Sequence, residues 1–295
     1  MRDNLISGEG EAVEVGDDDN IVQGNLIGTD ADGVKALGNG VGVNVEGGDG
    51  NLIGGAAAGE GNVISGSTYE GILIEDLYDE PARGNRVEGN LIGTNAAGGR
   101  PLPNGFAGVQ VAYSDGNTIG GQAPGAGNVI AYNGGDGVEV VGDTAVENAI
   151  VANAIFANGD GVDELGIDLN ADGVTFGDPL DADAGANGLQ NHPSIVVATN
   201  VAAGTKVEWT LDSLTSTSFR LDFYANDACD DSGHGEGQVH LGSADVVTDV
   251  DGHVAGNTIP AIAAAAGQQV AMTATRGAFT AGDTSEFSPC QPVGV

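Results

Sequence analysis

Acidic side chains provide the first candidate chemistry in this sequence. Glu139 and Asp168 each stand at the centre of an apolar-flanked triplet, Val138-Glu-Val140 and Ile167-Asp-Leu169. If such triplets stack as neighbouring parallel strands, the two carboxylates lie about 4.8 Å apart. Like charges at that distance raise one pKa or recruit a cation, and carboxyl groups about 5 Å apart suit a retaining glycosidase. Glu139 and Asp168 are therefore candidate catalytic residues; the alternative is an ordinary solvated acidic face.

A candidate metal site begins at the same residue. The spacing Asp168-x-Asn170-x-Asp172-Gly173 is that of the oxygen ligands in a calcium loop, but Pro179 stands where an EF-hand requires glutamate. We expect either a Ca²⁺ bound in a non-EF geometry or a solvated acidic linker with turn-forming residues. The candidate ligands are Asp168, Asn170, Asp172, Asp178, Asp181 and Asp183.

The composition excludes several functional classes. Asp and Glu number 43 against 8 Lys and Arg, so the formal net charge is −35. Nucleic-acid binding and polybasic membrane anchoring both require clustered cations, which this chain lacks. It also has no apolar run long enough to cross a bilayer, so we expect no membrane-spanning segment. Because 40% of the residues are hydrophobic, the chain can still bury a core.

Cysteine usage indicates an oxidising compartment. The only two cysteines, Cys229 and Cys290, lie in the final quarter of the chain. In an acidic chain with short Gly-rich segments, one possible pair is typical of an extracellular or cell-surface protein, whereas two buried free thiols are the alternative. A Cys229–Cys290 disulfide would contribute about 4 kcal/mol in the chain-entropy model.

Internal repeats determine the expected fold. Asn25-Leu-Ile-Gly-Thr29 returns as Asn90-Leu-Ile-Gly-Thr94, and the finer unit Asn-x-(Ile/Val) recurs throughout the first half of the chain. A second type of strand, in which apolar residues stand at alternate positions, recurs at a nearly constant interval along the chain. Each interval contains two of the Asn-x-(Ile/Val) triplets. Three short strands per turn, separated by Gly- and Asn-rich corners, predict a solenoid of about five to six coils over residues 1–176. Stacked asparagines at the corners should form hydrogen-bonded ladders.

The units Gly24-Asn-Leu-Ile-Gly-Thr29 and Gly61-Asn-Val-Ile-Ser-Gly66 resemble those of secreted right-handed parallel β-helix repeat proteins, the superfold that includes pectate lyases. The resemblance covers residues 1–176 and implies the fold, whereas the superfold itself hosts lyases, hydrolases, epimerases, phage tailspikes and passive stalks. The Arg or Lys base of pectate lyases has no counterpart on the outward face of the alternating strands, and no histidine precedes His192.

The remaining chain predicts a second domain. Residues 177–193 form an acidic junction, and longer alternating segments after residue 194 indicate an immunoglobulin-like β-sandwich over 194–295. The stretch from Phe219 to Cys229 and the segment ending at Cys290 resemble C-terminal modules found beside β-helix repeats in bacterial and archaeal surface proteins. The whole chain is therefore expected to be all-β.

We expect a secreted or cell-surface structural module that acts in presentation, adhesion or assembly and self-associates through open strand edges. The alternatives are a polysaccharide-active lyase, glycosidase or epimerase, and a Ca²⁺-dependent glycan-binding protein without turnover. The expected partners are polysaccharides or other surface proteins. Catalysis is the less favoured alternative, because this surface repels a polyanionic substrate.

Overall fold

A computed structural model of the chain describes residues 1–76, 80–159, 161, 163–277 and 282–294. Its first 17 strands are short and belong to the repeat region. They are β1 (Leu5–Ile6), β2 (Glu11–Val15), β3 (Ile21–Val22), β4 (Leu26–Ile27), β5 (Val41–Glu46), β6 (Leu52–Gly54), β7 (Val63–Ile64), β8 (Ile72–Glu75), β9 (Arg86–Glu88), β10 (Leu91–Ile92), β11 (Val109–Ala112), β12 (Thr118–Gly120), β13 (Val129–Ala131), β14 (Val138–Val141), β15 (Ala149–Val151), β16 (Ala154–Phe156) and β17 (Ile167–Leu169).

These strands form three parallel sheets, and the chain visits the sheets in turn. The sheet orders are β1-β4-β7-β10-β13-β16, β2-β5-β8-β11-β14-β17 and β3-β6-β9-β12-β15. Each strand therefore pairs with the strand three further along the chain, as a solenoid requires. Since two of the sheets contain six strands, the predicted parallel β-helix of five to six coils is confirmed.

The core of the β-helix is a stack of branched aliphatic side chains. Ile27, Ile64, Ile92 and Ile130, each the third residue of an Asn-x-(Ile/Val) triplet, pair in register down one sheet and have no exposed surface. Branched side chains suit this position because successive residues of a strand point to opposite faces. Each buried isoleucine contributes about 1.5–3 kcal/mol relative to an exposed one.

Asparagine ladders join the coils at their corners, as the repeat predicts. In most steps the Nδ2 of one asparagine donates to the Oδ1 of the asparagine one coil further on, over 2.8–3.2 Å. The same Oδ1 usually accepts the backbone N–H of the first asparagine as well. Two ladders run the length of the β-helix: Asn4, Asn25, Asn62, Asn90, Asn128 and Asn153, and Asn20, Asn51, Asn85, Asn117, Asn148 and Asn187.

A third ladder is interrupted by a serine. Asn104, Asn133 and Asn158 continue it through hydrogen bonds of 2.9 and 2.8 Å, but Ser67 occupies the preceding step. Within the described residues, Asn39 Nδ2 and Ser67 Oγ are both buried without a hydrogen-bond partner. The missing amide therefore leaves one corner of the β-helix incompletely bonded.

A glycine makes room for each amide of this third ladder. A Cβ at Gly71 would lie 2.8 Å from the Nδ2 of Asn104, and one at Gly108 would lie 2.8 Å from that of Asn133. Gly42 holds the equivalent position beside Ser67. The space that an asparagine needs is thus present at the interrupted step.

Residues after 193 form a seven-stranded mixed sheet that nearly closes on itself. The strands are β18 (Ser194–Val201), β19 (Gly204–Asp212), β20 (Ser218–Asn226), β21 (Val239–Val247), β22 (His253–Thr258), β23 (Gln269–Arg276) and β24 (Gln291–Gly294). The two halves of the sheet are β18-β19-β22 and β21-β20-β23, and β24 links them by pairing with β18 and β23. A common core that includes Trp209, Phe223 and Met272 fills the space between the halves, as in a β-sandwich.

The predicted disulfide between Cys229 and Cys290 is present, with a Cα–Cα distance of 5.9 Å. It ties the segment after β20 to the segment before β24. Both segments lie at the end of the sandwich that faces the β-helix. His234, which lies beside the disulfide, is hydrogen-bonded through its Nδ1 to the backbone oxygen of Phe287. The side chain of Phe287 in turn packs in the core cluster of the β-helix.

Candidate functional site

The row of side chains at the centre of the β2-to-β17 sheet contains the predicted carboxylate pair. Glu139 on β14 is in register with Asp168 on β17, and Gln110 on β11 is in register with Glu139. The repeat interval therefore placed Glu139 and Asp168 on neighbouring strands, as expected. The Gln110 amide Nε2 donates to Glu139 Oε2 at 3.0 Å.

Asp168 does not face solvent, although its strand position alternates outward. It is 1% exposed, because the chain after β17 turns back over it. Its Oδ1 accepts the backbone N–H of Asp172 at 3.3 Å, and its Oδ2 accepts that of Gly173 at 3.0 Å. Burial raises the pKa of Asp168 to about 6, against the lowering effect of these two hydrogen bonds. Both carboxylate oxygens of Asp168 therefore stabilise the backbone turn that follows β17.

Asp136 belongs to the same group and was not singled out from the sequence. It lies just before β14, is 8% exposed, and accepts the backbone N–H of Leu165 at 2.5 Å. Burial raises its pKa to about 7, and the charges of Asp168 and Glu139 add to this effect. In the sequence, Asp136 could be recognised only by its repeat position, two residues before Val138. The equivalent position in other coils holds Val41, Glu70, Ala107 and Leu165.

Of the three carboxyl groups of Asp136, Glu139 and Asp168, only that of Glu139 is partly exposed. Glu139 is half-buried, and burial raises its pKa, whereas Asp136 and Asp168 are buried and hydrogen-bonded to backbone amides. A glycosidase requires two carboxyl groups that both reach the sugar. Asp168 is therefore too deeply buried to be the second catalytic group that the register pair suggested.

The six candidate metal ligands separate into two places. Asp168 and Asp172 meet in the turn after β17, and Asn170 Oδ1 accepts the backbone N–H of Ala186 at 3.3 Å. The other three converge in the junction: ligand atoms of Asp178, Asp181 and Asp183 all lie within 4.8 Å of one another. Among the described residues only Asp178, Asp181 and Asp183 form such a group, so the structure does not bring all six together.

The cluster of Asp178, Asp181 and Asp183, hereafter the junction triad, is partly enclosed. Asp181 accepts the hydroxyl of Ser213 at 2.8 Å and the backbone N–H of Asn191 at 2.8 Å. Burial raises the pKa of both Asp181 and Asp183, and the neighbouring carboxylates raise these pKa values further. Three carboxylates are the hard oxygen donors that Ca²⁺ prefers.

Asp178 of the junction triad, but neither Asp181 nor Asp183, lines a cavity between the junction and the sandwich. The cavity has a volume of about 660 Å³ and is lined by Asp178, Leu180, His192, Asp212 and Asp251, among others.

A separate group of charges lies on the face of β20 that is turned away from the sandwich core and toward the β-helix. Asp222 has no exposed surface, accepts two hydrogen bonds from Arg220 at 2.6 and 2.7 Å, and contacts His240 Nε2 at 2.6 Å. Burial alone would raise the pKa of Asp222, but the hydrogen bonds from His240 and Arg220 outweigh it and hold the pKa below its usual value. The contact between Asp222 on β20 and His240 on β21 joins these two strands through their side chains.

The sandwich also supplies the polar groups that close the end of the β-helix. Glu286 accepts the backbone N–H of Leu169 at 3.1 Å and that of Thr175 at 2.8 Å. Glu236 accepts those of Ala157 at 2.9 Å and Asn158 at 3.3 Å. Burial raises the pKa of both glutamates to about 7. These two side chains satisfy amides at the open edges of β16 and β17.

The third edge is closed in the same way. Thr284 Oγ1 accepts the backbone N–H of Ile150 in β15 at 2.9 Å, and Asp283 accepts that of Glu147 at 2.6 Å. Backbone hydrogen bonds between Ile155 and Gly237, 2.9 and 2.8 Å long, add to the contact at β16. All three sheets of the β-helix therefore end on residues of the sandwich.

No protein-family model matches the chain, and no curated protein matches it. The residues that the structure describes contain no helix with the length and hydropathy of a membrane-spanning segment.

Proposed function

We propose that this chain is a structural module of a secreted or cell-surface protein. In this proposal the β-helix is a rigid stalk, the sandwich is its terminal cap, and the whole acts in adhesion or presentation without catalysis. The proposal rests on the observation that the buried acidic side chains bind backbone amides of the chain itself. Asp136, Asp168, Glu236 and Glu286 all accept backbone N–H groups and hold turns or strand edges.

The capping of the β-helix supports a load-bearing role. Exposed strand edges invite uncontrolled pairing, and solenoids usually need a polar cap for solubility. Here a complete domain performs that task, and the disulfide at its interface side resists unfolding. The disulfide and the net charge of −35 suit an oxidising, extracellular setting.

The junction triad is the place where we propose that Ca²⁺ binds. A cation there would neutralise three carboxylates beside the contact between Asp181 and Ser213 of the sandwich. It would thereby fix the junction relative to β19, which ends at Asp212. Self-association through open strand edges stays a prediction, which size-exclusion chromatography over a range of concentrations tests. The edges of β1 and β2 in the first coil are available for it, whereas residues 1–3 partly cover the edge of β3.

A polysaccharide-active enzyme is the second candidate, and Glu139 is the observation that favours it. Its raised pKa and partial exposure are properties of a general acid. A Ca²⁺-dependent glycan-binding protein without turnover would instead use the junction triad.

One experiment separates these functions. The full chain is incubated with uronate-rich and neutral polysaccharides, with and without Ca²⁺, and both bound glycan and released reducing ends or unsaturated products are measured. We expect no turnover. Turnover that Glu139→Gln abolishes would overturn the structural proposal, whereas Ca²⁺-dependent retention that Asp178→Asn and Asp183→Asn abolish would define the binding function. Glu88→Gln, on another sheet of the β-helix, is the matched control.

A further inference from the structure

The chain contains a single Asp–Pro peptide bond, between Asp178 and Pro179 in the junction. An aspartate carboxylate can close a five-membered ring on its own carbonyl carbon. The proline nitrogen belongs to a tertiary amide, which leaves readily once it is protonated. Asp178 is partly exposed and Pro179 is exposed, so solvent reaches both residues. The surroundings of this bond therefore determine how fast it breaks.

Two hydrogen-bond donors bind the oxygen of the carbonyl group that joins Asp178 to Pro179. Asn191 Nδ2 donates to Asp178 O at 2.8 Å, and the backbone N–H of Asp181 donates to the same oxygen at 3.4 Å. Such donors stabilise the negative charge that develops on the oxygen when a nucleophile adds to the carbon, and the loss of one donor lowers a rate by about 10²–10³-fold. The two donors are therefore arranged as an oxyanion hole.

Further contacts hold Asn191 in this position. Asn191 is 4% exposed. Its Oδ1 accepts the backbone N–H of Asp178 at 2.9 Å, and its Nδ2 also donates to Asp212 O, at the end of β19, at 2.9 Å. The backbone N–H of Asn191 donates to Asp181 Oδ1 at 2.8 Å. The carboxamide thus binds both the N–H and the C=O of Asp178 and is itself anchored to the sandwich.

The turn after the bond is strained and open to water. Leu180 and Asp181 have φ values of 63° and 53°, in the left-handed region that residues with a side chain rarely adopt in succession. Cleavage of the preceding bond frees this turn at one end. Asp178, Pro179 and Asn191 also line the cavity of about 660 Å³ at the junction, which admits the water that hydrolysis consumes.

We propose that the chain cleaves its own Asp178–Pro179 bond. A carboxylate oxygen of Asp178 adds to the Asp178 carbonyl carbon, and the two donors bind the resulting oxyanion. The bond from this carbon to the Pro179 nitrogen then breaks, the nitrogen takes a proton from solvent, and a cyclic anhydride remains on Asp178. One water molecule opens the anhydride to the two carboxyl groups of a C-terminal aspartate. The net reaction is the hydrolysis of one peptide bond.

Cleavage separates the β-helix from the sandwich covalently but not physically. The fragments are residues 1–178 and 179–295, and both cysteines of the disulfide lie in the second fragment. Glu236 and Glu286 of the second fragment still bind backbone amides of Ala157 and Leu169 in the first. Self-cleavage therefore converts the sandwich from a fused domain into a cap that only noncovalent contacts retain.

The test is incubation of the purified full chain in a mildly acidic buffer with EDTA, followed by intact-mass spectrometry under denaturing conditions. EDTA is present because Ca²⁺ at the junction triad would bind the attacking carboxylate. We expect two fragments, one ending at Asp178 and one beginning at Pro179. The same chain unfolded in guanidinium chloride keeps the Asp–Pro bond but loses both donors, and it should cleave at least tenfold more slowly.

Three variants identify the participating groups. Asp178→Asn removes the attacking carboxylate and Pro179→Ala removes the tertiary amide, and each should abolish the fragments. Asn191→Asp keeps an acceptor for the Asp178 N–H but loses the Nδ2 donor, and it should slow cleavage at least tenfold. Asn200→Asp, the same exchange on β18, is the matched control and should leave the rate unchanged. Circular dichroism verifies folding, and Pro179→Ala, at an exposed position, gives an independent readout.

The proposal is overturned if the folded chain cleaves no faster than the unfolded chain, or if Asn191→Asp cleaves as fast as the wild type. Fragments that persist in Asp178→Asn would also overturn it, because they would show cleavage by a contaminating protease.

Discussion

The asparagine ladders can be tested most sharply at Asn90, in the middle of the β-helix. Asn90 is 1% exposed. Its Oδ1 accepts the backbone N–H and the Nδ2 of Asn62, both at 2.9 Å, and its Nδ2 donates to Ile53 O at 2.9 Å and to Asn128 Oδ1 at 3.0 Å. The change Asn90→Ala removes all four hydrogen bonds.

The cost follows from which groups keep a partner. Asn62 Nδ2 retains its hydrogen bond to Val22 O at 2.8 Å, and Asn128 Oδ1 retains the backbone N–H of residue 90 at 2.9 Å. The Asn62 backbone N–H loses its acceptor, and Ile53 O loses a donor. At about 1–3 kcal/mol for each such group, with a further contribution from the cavity, we expect a destabilisation of about 4 kcal/mol.

The assay is denaturant unfolding followed by circular dichroism. The control is Asn4→Ala, which removes the first member of the same ladder. Asn4 is exposed, so water replaces its contact with Asn25, and we expect a cost below about 1 kcal/mol. A cost at Asn90 as small as that at Asn4 would refute the view that the ladders stabilise the β-helix.

Three further predictions concern single contacts. Ser67→Asn should raise the free energy of unfolding by about 1 kcal/mol by giving the buried Nδ2 of Asn39 an acceptor, and a lower denaturation midpoint would contradict this. Burial raises the folded-state pKa of Glu286 to about 7, above its ordinary value of 4.5. The stability that Glu286 contributes should therefore be complete below pH 4.5 and lost as the pH rises through 7. The free energy of unfolding measured across this pH range should fall less in Glu286→Gln than in the wild type, by on the order of 3 kcal/mol. Replacing Cys229 and Cys290 with serine should cost about 4 kcal/mol, which thermal denaturation with and without reductant measures; an unchanged midpoint would contradict it.

The β-helix was predictable because its determinants are local and repeated. In the triplet ending at Ile64, the branched residue must face inward by strand alternation, and Asn62 at the corner must bond to the next coil. The interval between alternating strands likewise placed Glu139 beside Asp168. Periodicity thus determines which residues are neighbours.

Periodicity does not determine burial where the repeat ends. Asp168 belongs to the outward row, but it is enclosed because the chain returns over it and Glu286 binds the adjacent Leu169 amide. Glu286 and Glu236 lie 117 and 79 residues from the amides they cap. No local pattern marks such distant contacts, so the cap and the separation of the candidate metal ligands could be found only in the folded chain.

The most direct test of the account is hydrogen–deuterium exchange at the end of the β-helix. The backbone amides of Ala157, Leu169 and Thr175, which Glu236 and Glu286 cap, should exchange as slowly as those in the central coils. In the variant with Glu236→Ala and Glu286→Ala, exchange should accelerate in the last coil alone. Fast exchange of these amides in the wild-type chain would contradict the claim that the sandwich closes the β-helix.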